Sequence, residues 1–218
     1  MRILAINTAG RKPAVAMVID GQAFGAWKAE AFEGLAASLP PVVAQIIAGH
    51  GIPELIAVCV GPGSFTGLRA GLALAAGLAA GYGIELVGVT QAEAFAIAAP
   101  DLAPRQLWTA IDSKRGRVFL DQGAGFSACD VSAIASPARS VTVAMAGDAS
   151  IDVAAVLAAR DVNVMLTQWQ DAPPLAIAAA AMARHRGELP ALAAEPMYID
   201  PPAVTAPKIA APGAAGVP

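Results

Sequence analysis

A glycine-rich turn between an apolar run and a long uncharged segment constrains the fold more than any other feature of this sequence. Residues 55–60 are all apolar, which predicts a buried strand. The turn GPGSFTG follows at residues 61–67, and residues 70–81 are all alanine, leucine or glycine, which indicates a helix. Such a strand–turn–helix unit is typical of α/β folds, and its turn can point backbone N–H groups at a phosphate.

The spacing of this turn departs from three motifs that it partly matches. A Walker loop and a dinucleotide fingerprint both require a glycine where Thr66 stands, one residue before Gly67. A nucleophile elbow requires glycines two residues on either side of Ser64, where Pro62 and Thr66 stand. The residues alone therefore predict a tight strand–helix joint with Ser64 or Thr66 as the helix N-cap. A nucleotide-binding loop is the alternative.

The remaining pattern predicts strands that alternate with helices, and hence parallel pairing in an α/β sheet with a hairpin at one edge. Strands are predicted at residues 2–7, 14–20, 22–29, 55–60, 84–89, 106–112, 117–121, 141–146, 162–166 and 197–199. Helices are predicted at residues 35–49, 66–81, 91–99, 151–160 and 175–186. Pro40 and Pro41 also allow the first helix to begin there, with Ser38 as its cap.

Composition and the positions of the proline-containing segments suggest two domains and a tail. The 218 residues are 56% hydrophobic and 14% charged, which is enough apolar material for a substantial core. Residues 100–104 predict a boundary between domains at residues 1–100 and 101–200. Residues 201–218 are rich in proline and alanine, and we expect them to be disordered.

Charge and cysteine usage exclude several classes of protein. The net charge of −3 gives no overall basic field for nucleic acid. The uncharged run at residues 70–84 is shorter than the roughly 20 residues that a membrane span needs, so we expect a buried or interface helix. Cys59 and Cys129 form no CxxC pair, and the N-terminus lacks a signal sequence, so a cytoplasmic location is expected.

The titratable residues give few catalytic candidates. His50 and His185 stand at predicted helix ends, where they suit the helix dipole better than catalysis. They do not have metal-ligand spacing, so no metal site is expected. Asp112 ends a predicted strand, where a carboxylate is either a turn former or a ligand in a cleft. A small basic cluster follows at Lys114, Arg115 and Arg117. It is interpreted as a solvated hairpin tip, and contact with a carboxylate-rich partner or with an RNA phosphate is the alternative.

The first two predicted helices lack charge on most faces. Small residues recur every four positions from Gly67 to Ala79, and such a stripe lets another helix approach closely. These helices either pack on their own sheet alone or also form a partner interface, and leftover apolar surface favours the interface. The predicted interface comprises Leu39, Val42, Val43, Ile46, Gly67, Leu68, Gly71, Leu72, Ala75 and Leu78.

Residues 60–81 resemble the GPGSFTGxRxG signature of the TsaB (YeaZ) family. Similar family segments occur in order at residues 3–8, 88–90, 110–119 and 196–199, so the resemblance covers the chain to about residue 200. It implies an α/β fold of two actin-like lobes (ASKHA, the hexokinase/Hsp70 type), with the second lobe reduced.

The chain departs from the family pattern at the first turn. Asn7-Thr8-Ala9 stands where Asp-Thr-Ser is usual, and asparagine lacks the negative charge that a hard cation prefers. The histidine of a His-Ser pair is also missing from residues 31–39. The resemblance therefore implies a relic nucleotide cleft and no intrinsic cofactor. The cleft residues would be Asn7, Thr8, Gly61, Gly63 and Asp112.

In function, the resemblance implies a non-catalytic dimerisation subunit of the machinery that makes threonylcarbamoyladenosine in tRNA. Its partners would be a TsaD-like catalytic subunit and a TsaE-like ATPase, which would use ATP and magnesium. Alone it would form a homodimer, and it would meet tRNA only through the complex. The alternative is a small actin-fold ATP-binding protein or hydrolase (a glycoprotease-like label) that uses the turn at residues 61–67 and Asp112.

Overall fold

The computed structural model describes residues 1–29, 34–103 and 105–200. The strands are β1 (Arg2–Asn7), β2 (Ala14–Ile19), β3 (Gln22–Lys28), β4 (Leu55–Gly61), β5 (Glu85–Thr90), β6 (Gln106–Asp112), β7 (Val118–Asp121), β8 (Phe126–Cys129), β9 (Val143–Ala146) and β10 (Val164–Leu166). The α-helices are α1 (Leu35–His50), α2 (Phe65–Tyr82), α3 (Gln91–Ala98), α4 (Ser150–Ala158) and α5 (Pro174–His185). The predicted tail at residues 201–218 lies outside the described residues.

The two sheets repeat one topology. The first has the order β3-β2-β1-β4-β5, and the second, read in the same sense, has the order β8-β7-β6-β9-β10. In each sheet the first three strands form an antiparallel meander, and the last two strands run parallel to the first strand. Helix α2 connects the two parallel strands of the first sheet, and α4 connects those of the second.

The second unit is smaller than the first. Helix α1 spans 16 residues between β3 and β4. At the matching place, between β8 and β9, the structure has a 3₁₀ turn at Val131–Ala133 and otherwise irregular chain. The two-lobe α/β fold with a reduced second lobe is therefore confirmed.

Helices cover both faces of the first sheet. Adjacent strand residues point to opposite faces. At the end of β1, Thr8 points toward Gly71 of α2, while the side chain of Asn7 hydrogen-bonds to Ala172, just before α5. Helices α1 and α2 thus lie on one face, and α3 and α5 lie on the other.

Helix α5 belongs to the core of the first sheet, although residues 101–200 were assigned to the second lobe. Its buried face consists of Ala176, Ile177, Ala178, Ala180 and Ala181, which pack in the same core as Ile3 and Val18. That assignment is therefore wrong for this helix, because the chain crosses back after β10 to bury apolar residues on the first sheet.

The second sheet has a core of its own and also joins the first. Trp108 and Ala110 face α4, where they pack with Val153 and Leu157. The alternate residue Ile111 faces the other way and packs into the first core. Alternation along β6 therefore connects the two cores through one strand.

Two local expectations about α1 are corrected. The helix begins at Leu35 after Gly34, and Pro40 and Pro41 lie inside it, so the start at Pro40 with Ser38 as cap is wrong. Ser38 Oγ instead donates to the Leu35 carbonyl at 3.4 Å. Both prolines are exposed, so the carbonyls that they leave without an N–H donor can bind water.

Two strand predictions also change. No strand forms at the predicted residues 197–199, where one hydrogen bond, from Met197 N–H to the Val60 carbonyl at 2.8 Å, attaches the chain to the end of β4. Strand β8 was not predicted. The turn that precedes β8 contains Asp121, Gly123 and Gly125, which are residue types typical of turns. In the structure, Asp121 Oδ1 accepts hydrogen bonds from the N–H groups of both glycines.

Candidate functional site

The predicted phosphate-type turn after β1 and the glycine turn after β4 pack directly on each other. Ser64 N–H donates to the Ala9 carbonyl at 3.0 Å. A Cβ placed on Gly63 would lie 2.1 Å from that same oxygen, so position 63 requires glycine. Ser64 Oγ accepts a hydrogen bond from Gly67 N–H at 3.2 Å, which makes Ser64 the N-cap of α2.

The polar groups of Asn7 are used within the chain. Its side-chain Nδ2 donates to the Ala172 carbonyl at 2.7 Å, and Oδ1 accepts from Ala9 N–H at 3.0 Å. Asn7 is fully buried, so it connects the turn to the segment that leads into α5. Its neighbour Thr8 is also fully buried, and within the described residues Thr8 Oγ1 has no hydrogen-bond partner.

The glycine turn is also held from α3. Gly61 has φ +111°, a conformation that favours glycine, and the following Pro62 carbonyl accepts a hydrogen bond from Gln91 Nε2 at 3.2 Å. Gln91 is fully buried at the first position of α3. The structure therefore brings four predicted cleft residues together, at one end of the first sheet: Asn7, Thr8, Gly61 and Gly63.

Asp112, the fifth predicted cleft residue, lies in the second unit within a charged cluster. Lys114 Nζ lies 2.7 Å from Asp112 Oδ2 and 3.4 Å from Asp148 Oδ2. Asp148 Oδ1 also accepts a hydrogen bond from Asp112 N–H at 2.8 Å. One lysine thus contacts two carboxylates, one at the end of β6 and one in the turn before α4.

The two carboxylates of this cluster ionise differently. Burial is the strongest single influence on the pKa of Asp112 and acts to raise it, but hydrogen bonds from Lys114 and the charges of Lys114 and Arg11 hold that pKa below its usual value. Asp148 is more deeply buried, and burial raises the pKa of its carboxyl despite the Asp112 N–H bond. Burial would lower the pKa of Lys114, yet its two carboxylate partners raise it.

Eight of the ten predicted interface residues are buried inside the chain. They are Leu39, Val43, Ile46, Gly67, Leu68, Gly71, Leu72 and Ala75, while Val42 and Leu78 are partly buried. A Cβ on Gly71 would lie 2.2 Å from Thr8 Oγ1, so this glycine allows α2 to approach its own sheet. These eight residues hold α1 and α2 on the sheet and are unavailable to a partner.

The outward faces of the two helices are made of other residues, most of them small. On α1 they include Ala37, Pro41, Ala44 and Ala48, and on α2 they include Ala73, Ala76, Gly77 and Ala80. Helix α1 contains no Asp, Glu, Lys or Arg, and α2 contains only Arg69. Because apolar residues occupy every face, the sequence does not distinguish the buried face from the exposed one.

The other titratable candidates make internal contacts. His185 Nδ1 lies 2.6 Å from Glu85 Oε2, and His50 packs beside the Phe24 ring. Glu93 closes a capping box with Thr90 and also pairs with Arg184. Burial raises the pKa of the Cys59 thiol to about 12. Within the described ranges, no group of three His, Cys, Asp or Glu side chains could hold a metal ion.

Sequence reasoning missed an aromatic–arginine cluster formed by Phe65, Arg69 and Tyr198. The Phe65 and Tyr198 rings lie 5.6 Å apart, and Arg69 Cζ lies 3.9 Å from the Phe65 centroid. Arg69 Nε also donates to Tyr198 Oη at 3.2 Å. Phe65 is 46% exposed and Tyr198 is 47% exposed. Phe65 and Arg69 are four residues apart where a helix is predicted to begin, and this spacing indicates that their side chains are neighbours. No such signal points to Tyr198.

Comparison with known proteins identifies the family. The family model described as TsaD, tRNA N6-adenosine threonylcarbamoyltransferase, matches residues 29–184, which is more than half of the chain. The Escherichia coli K12 protein named tRNA threonylcarbamoyladenosine biosynthesis protein TsaB is 36% identical over 125 residues. The chain belongs to the TsaB (YeaZ) family. This confirms the resemblance of the sequence motifs, although the match spans 55% of this chain and only about half, 53%, of that TsaB protein.

Solved structures confirm the fold of this TsaB family member. YeaZ from Pseudomonas aeruginosa superposes with a TM-score of 0.71 at 23% identity, covering 90% of this chain and 99% of that chain. An inorganic polyphosphate/ATP-glucomannokinase from Arthrobacter sp. strain KM gives a TM-score of 0.50 at 11% identity, covering 84% of this chain and 99% of that one. In the described part of the chain, no helix is both long and apolar enough to span a membrane.

Proposed function

We propose that this chain is a non-catalytic subunit of the complex that makes N6-threonylcarbamoyladenosine at position 37 of tRNA. Membership of the TsaB family carries the proposal, since the matched family model and the E. coli relative are both named for this modification. The chain would bind and activate a TsaD-like threonylcarbamoyltransferase in the cytoplasm, and a TsaE-like ATPase would join the same assembly.

The outward faces of α1 and α2 are the proposed docking surface. Their exposed residues, such as Pro41, Ala44, Ala73 and Ala76, are small and uncharged, so a partner helix can approach without desolvating charge. Helices α1 and α2 also contact each other, which makes the surface continuous. In the absence of the catalytic subunit, we propose that the same surface pairs two copies of this chain.

We assign bond chemistry, ATP and magnesium to the partner subunits. The internal hydrogen bonds of Asn7 support this assignment, because both polar atoms of its side chain already have partners in the chain. Lys114 likewise occupies the space between Asp112 and Asp148, the carboxylates that a cation would otherwise attract.

The test is reconstituted tRNA modification with purified TsaD-like and TsaE-like subunits, threonylcarbamoyl adenylate, Mg-ATP and a tRNA that reads ANN codons. Ala76→Arg places a charge on the exposed face of α2, and Ala155→Arg places the same charge on the exposed face of α4. We expect omission of the chain and Ala76→Arg each to reduce product at least about tenfold, while Ala155→Arg leaves it unchanged.

Equal product without the chain would contradict the proposed function. Equal product with Ala76→Arg would instead contradict the docking surface alone.

A further inference from the structure

The aromatic–arginine cluster is exposed in an unusual way. The Arg69 guanidinium lies over the Phe65 ring, and the Tyr198 ring is tilted by 37° against Phe65. Almost half of the Phe65 and Tyr198 surfaces nevertheless remains open to solvent. The hydrogen bond from Arg69 Nε to Tyr198 Oη fixes the guanidinium, so the cluster is preorganised. Exposed, preorganised aromatic surface of this kind usually marks a binding site.

The cluster lies beside basic residues of the second unit. The last described segment runs from Tyr198 to Asp200, whose carboxylate lies 3.1 Å from Arg117 Nη1. The segment therefore connects Arg69 on the first unit with Arg117 on the second. Arg115 is exposed two residues before Arg117 in the turn between β6 and β7. Arg69 therefore lies against the exposed rings, whereas Arg117 pairs with a carboxylate two residues after Tyr198.

We infer that this cluster stacks an unpaired base of single-stranded RNA, with Arg69 contacting a flanking phosphate. Aromatic rings and arginine planes are the groups on which proteins stack splayed-out bases. Arg69 beside the rings favours RNA over a protein segment, since its guanidinium complements phosphate. The inference deepens the proposed function by adding a direct RNA contact, and it rests on that function for the identity of the natural RNA as tRNA.

The net charge of −3 shapes the expected binding. It provides no long-range attraction to a polyanion, so stacking supplies most of the affinity. We therefore expect modest affinity and a shallow dependence on salt concentration, equivalent to about one phosphate contact.

The experiment measures anisotropy of a fluorescein-labelled eight-nucleotide single-stranded RNA with the isolated full chain, and of the same sequence as a duplex. Phe65→Leu and Tyr198→Leu remove stacking and keep apolar bulk, whereas Tyr198→Phe keeps the ring. Phe24→Leu is the matched control, because Phe24 is 39% exposed but lies on β3 beside His50. We expect about tenfold weaker binding for each of the first two variants, and unchanged binding for Tyr198→Phe and Phe24→Leu.

Three outcomes would overturn the inference: no RNA binding by the isolated chain, equal binding of the duplex, or equal loss with Phe24→Leu. Unchanged RNA binding by Phe65→Leu and Tyr198→Leu would also overturn it. No partner subunit is present in the RNA assay, so its failure leaves the result of the omission experiment intact.

Discussion

Each of the two repeated units contains a strand–helix joint. The two joints share one close backbone contact but have different polar side chains around it. In the first, the joint from β4 to α2, a Cβ on Gly63 would lie 2.1 Å from the Ala9 carbonyl. In the second, the joint from β9 to α4, a Cβ on Gly147 would lie 2.1 Å from the Ala110 carbonyl. Each carbonyl also accepts a backbone N–H from its joint, at 3.0 and 3.1 Å.

The polar residues around the joints differ. Asn7 and Thr8, which are neutral and fully buried, surround the first joint. Asp112, Lys114 and Asp148 surround the second, and Lys114 is largely exposed. The comparison teaches that the backbone contact comes from the repeated topology, whereas the charge at each joint is a separate property of its side chains.

The largest expected effect comes from filling the close backbone contacts. Gly147→Ala introduces a collision with the Ala110 carbonyl at a residue with φ +100°, and Gly63→Ala introduces the equivalent collision with Ala9. We expect each variant to lose about 4 kcal/mol of unfolding free energy in urea titrations. Similar losses at both sites would confirm that the joints are equivalent.

Gly123→Ala separates strain from collision. Gly123 has φ +97°, but a Cβ there would meet nothing within 4 Å. We expect Gly123→Ala to lose only about 1 kcal/mol of unfolding free energy. A loss at Gly123 as large as that at Gly147 would show that backbone conformation, and not the close contact, governs these positions.

A smaller effect is expected at the contact between α2 and the first turn. Gly71→Ala places a Cβ 2.2 Å from Thr8 Oγ1, so we expect a loss of about 2 kcal/mol of unfolding free energy. Adding Thr8→Ala removes the colliding hydroxyl, which has no partner within the described residues, and should restore at least half of that loss.

Gly77→Ala is the control on the same helix. A Cβ at Gly77 meets nothing within 4 Å, so this variant should gain about 1 kcal/mol of unfolding free energy from helix propensity. If Gly71→Ala and Thr8→Ala instead act additively, the two residues do not constrain each other.

The smallest expected effect is electrostatic and belongs to the second joint. Lys114→Met keeps the stem but leaves Asp112 and Asp148 without their shared cation. Because Lys114 is largely exposed, we expect the variant to lose about 1 kcal/mol of unfolding free energy at pH 7. Urea titrations at pH 3.5, 5 and 7 measure it.

The sign of the pH dependence follows from the shifted pKa values. The lowered pKa of Asp112 stabilises the fold above its unfolded value near 4, and this stability is lost as the pH falls through the folded value. The raised pKa of Asp148 means that its ionisation costs stability as the pH rises. The stability difference between the variant and the wild type should therefore begin to shrink as the pH falls below about 4, and an equal loss at every pH would exclude a charge effect.

The sequence predicted the first joint closely because its signals are local. A continuous apolar run and the capping Ser64 gave residues 55–60 and 66–81, and the structure has β4 at Leu55–Gly61 and α2 at Phe65–Tyr82. The short strand β8, Phe126–Cys129, was missed because its four residues show no clear alternation of apolar and polar side chains.

The sequence pattern could not predict which distant segments pack together. Helix α5 was predicted as a helix, but its alanine-rich surface could pack on either sheet. The buried and exposed faces of α1 and α2 were not separated, because both faces are apolar or small. Tyr198 lies 129 residues from Arg69, so no local spacing could join the aromatic–arginine cluster.

The return of α5 to the first sheet has a consequence for synthesis on the ribosome. Strands β1 to β5 are complete by Thr90, but the helix that buries one face of their sheet ends at His185. Contacts between segments so distant in sequence raise the cost of loop closure and slow folding. While the intervening residues are translated, Ile3 and Val18 lack their final cover, so the nascent chain exposes this apolar face until almost all of the described chain has emerged.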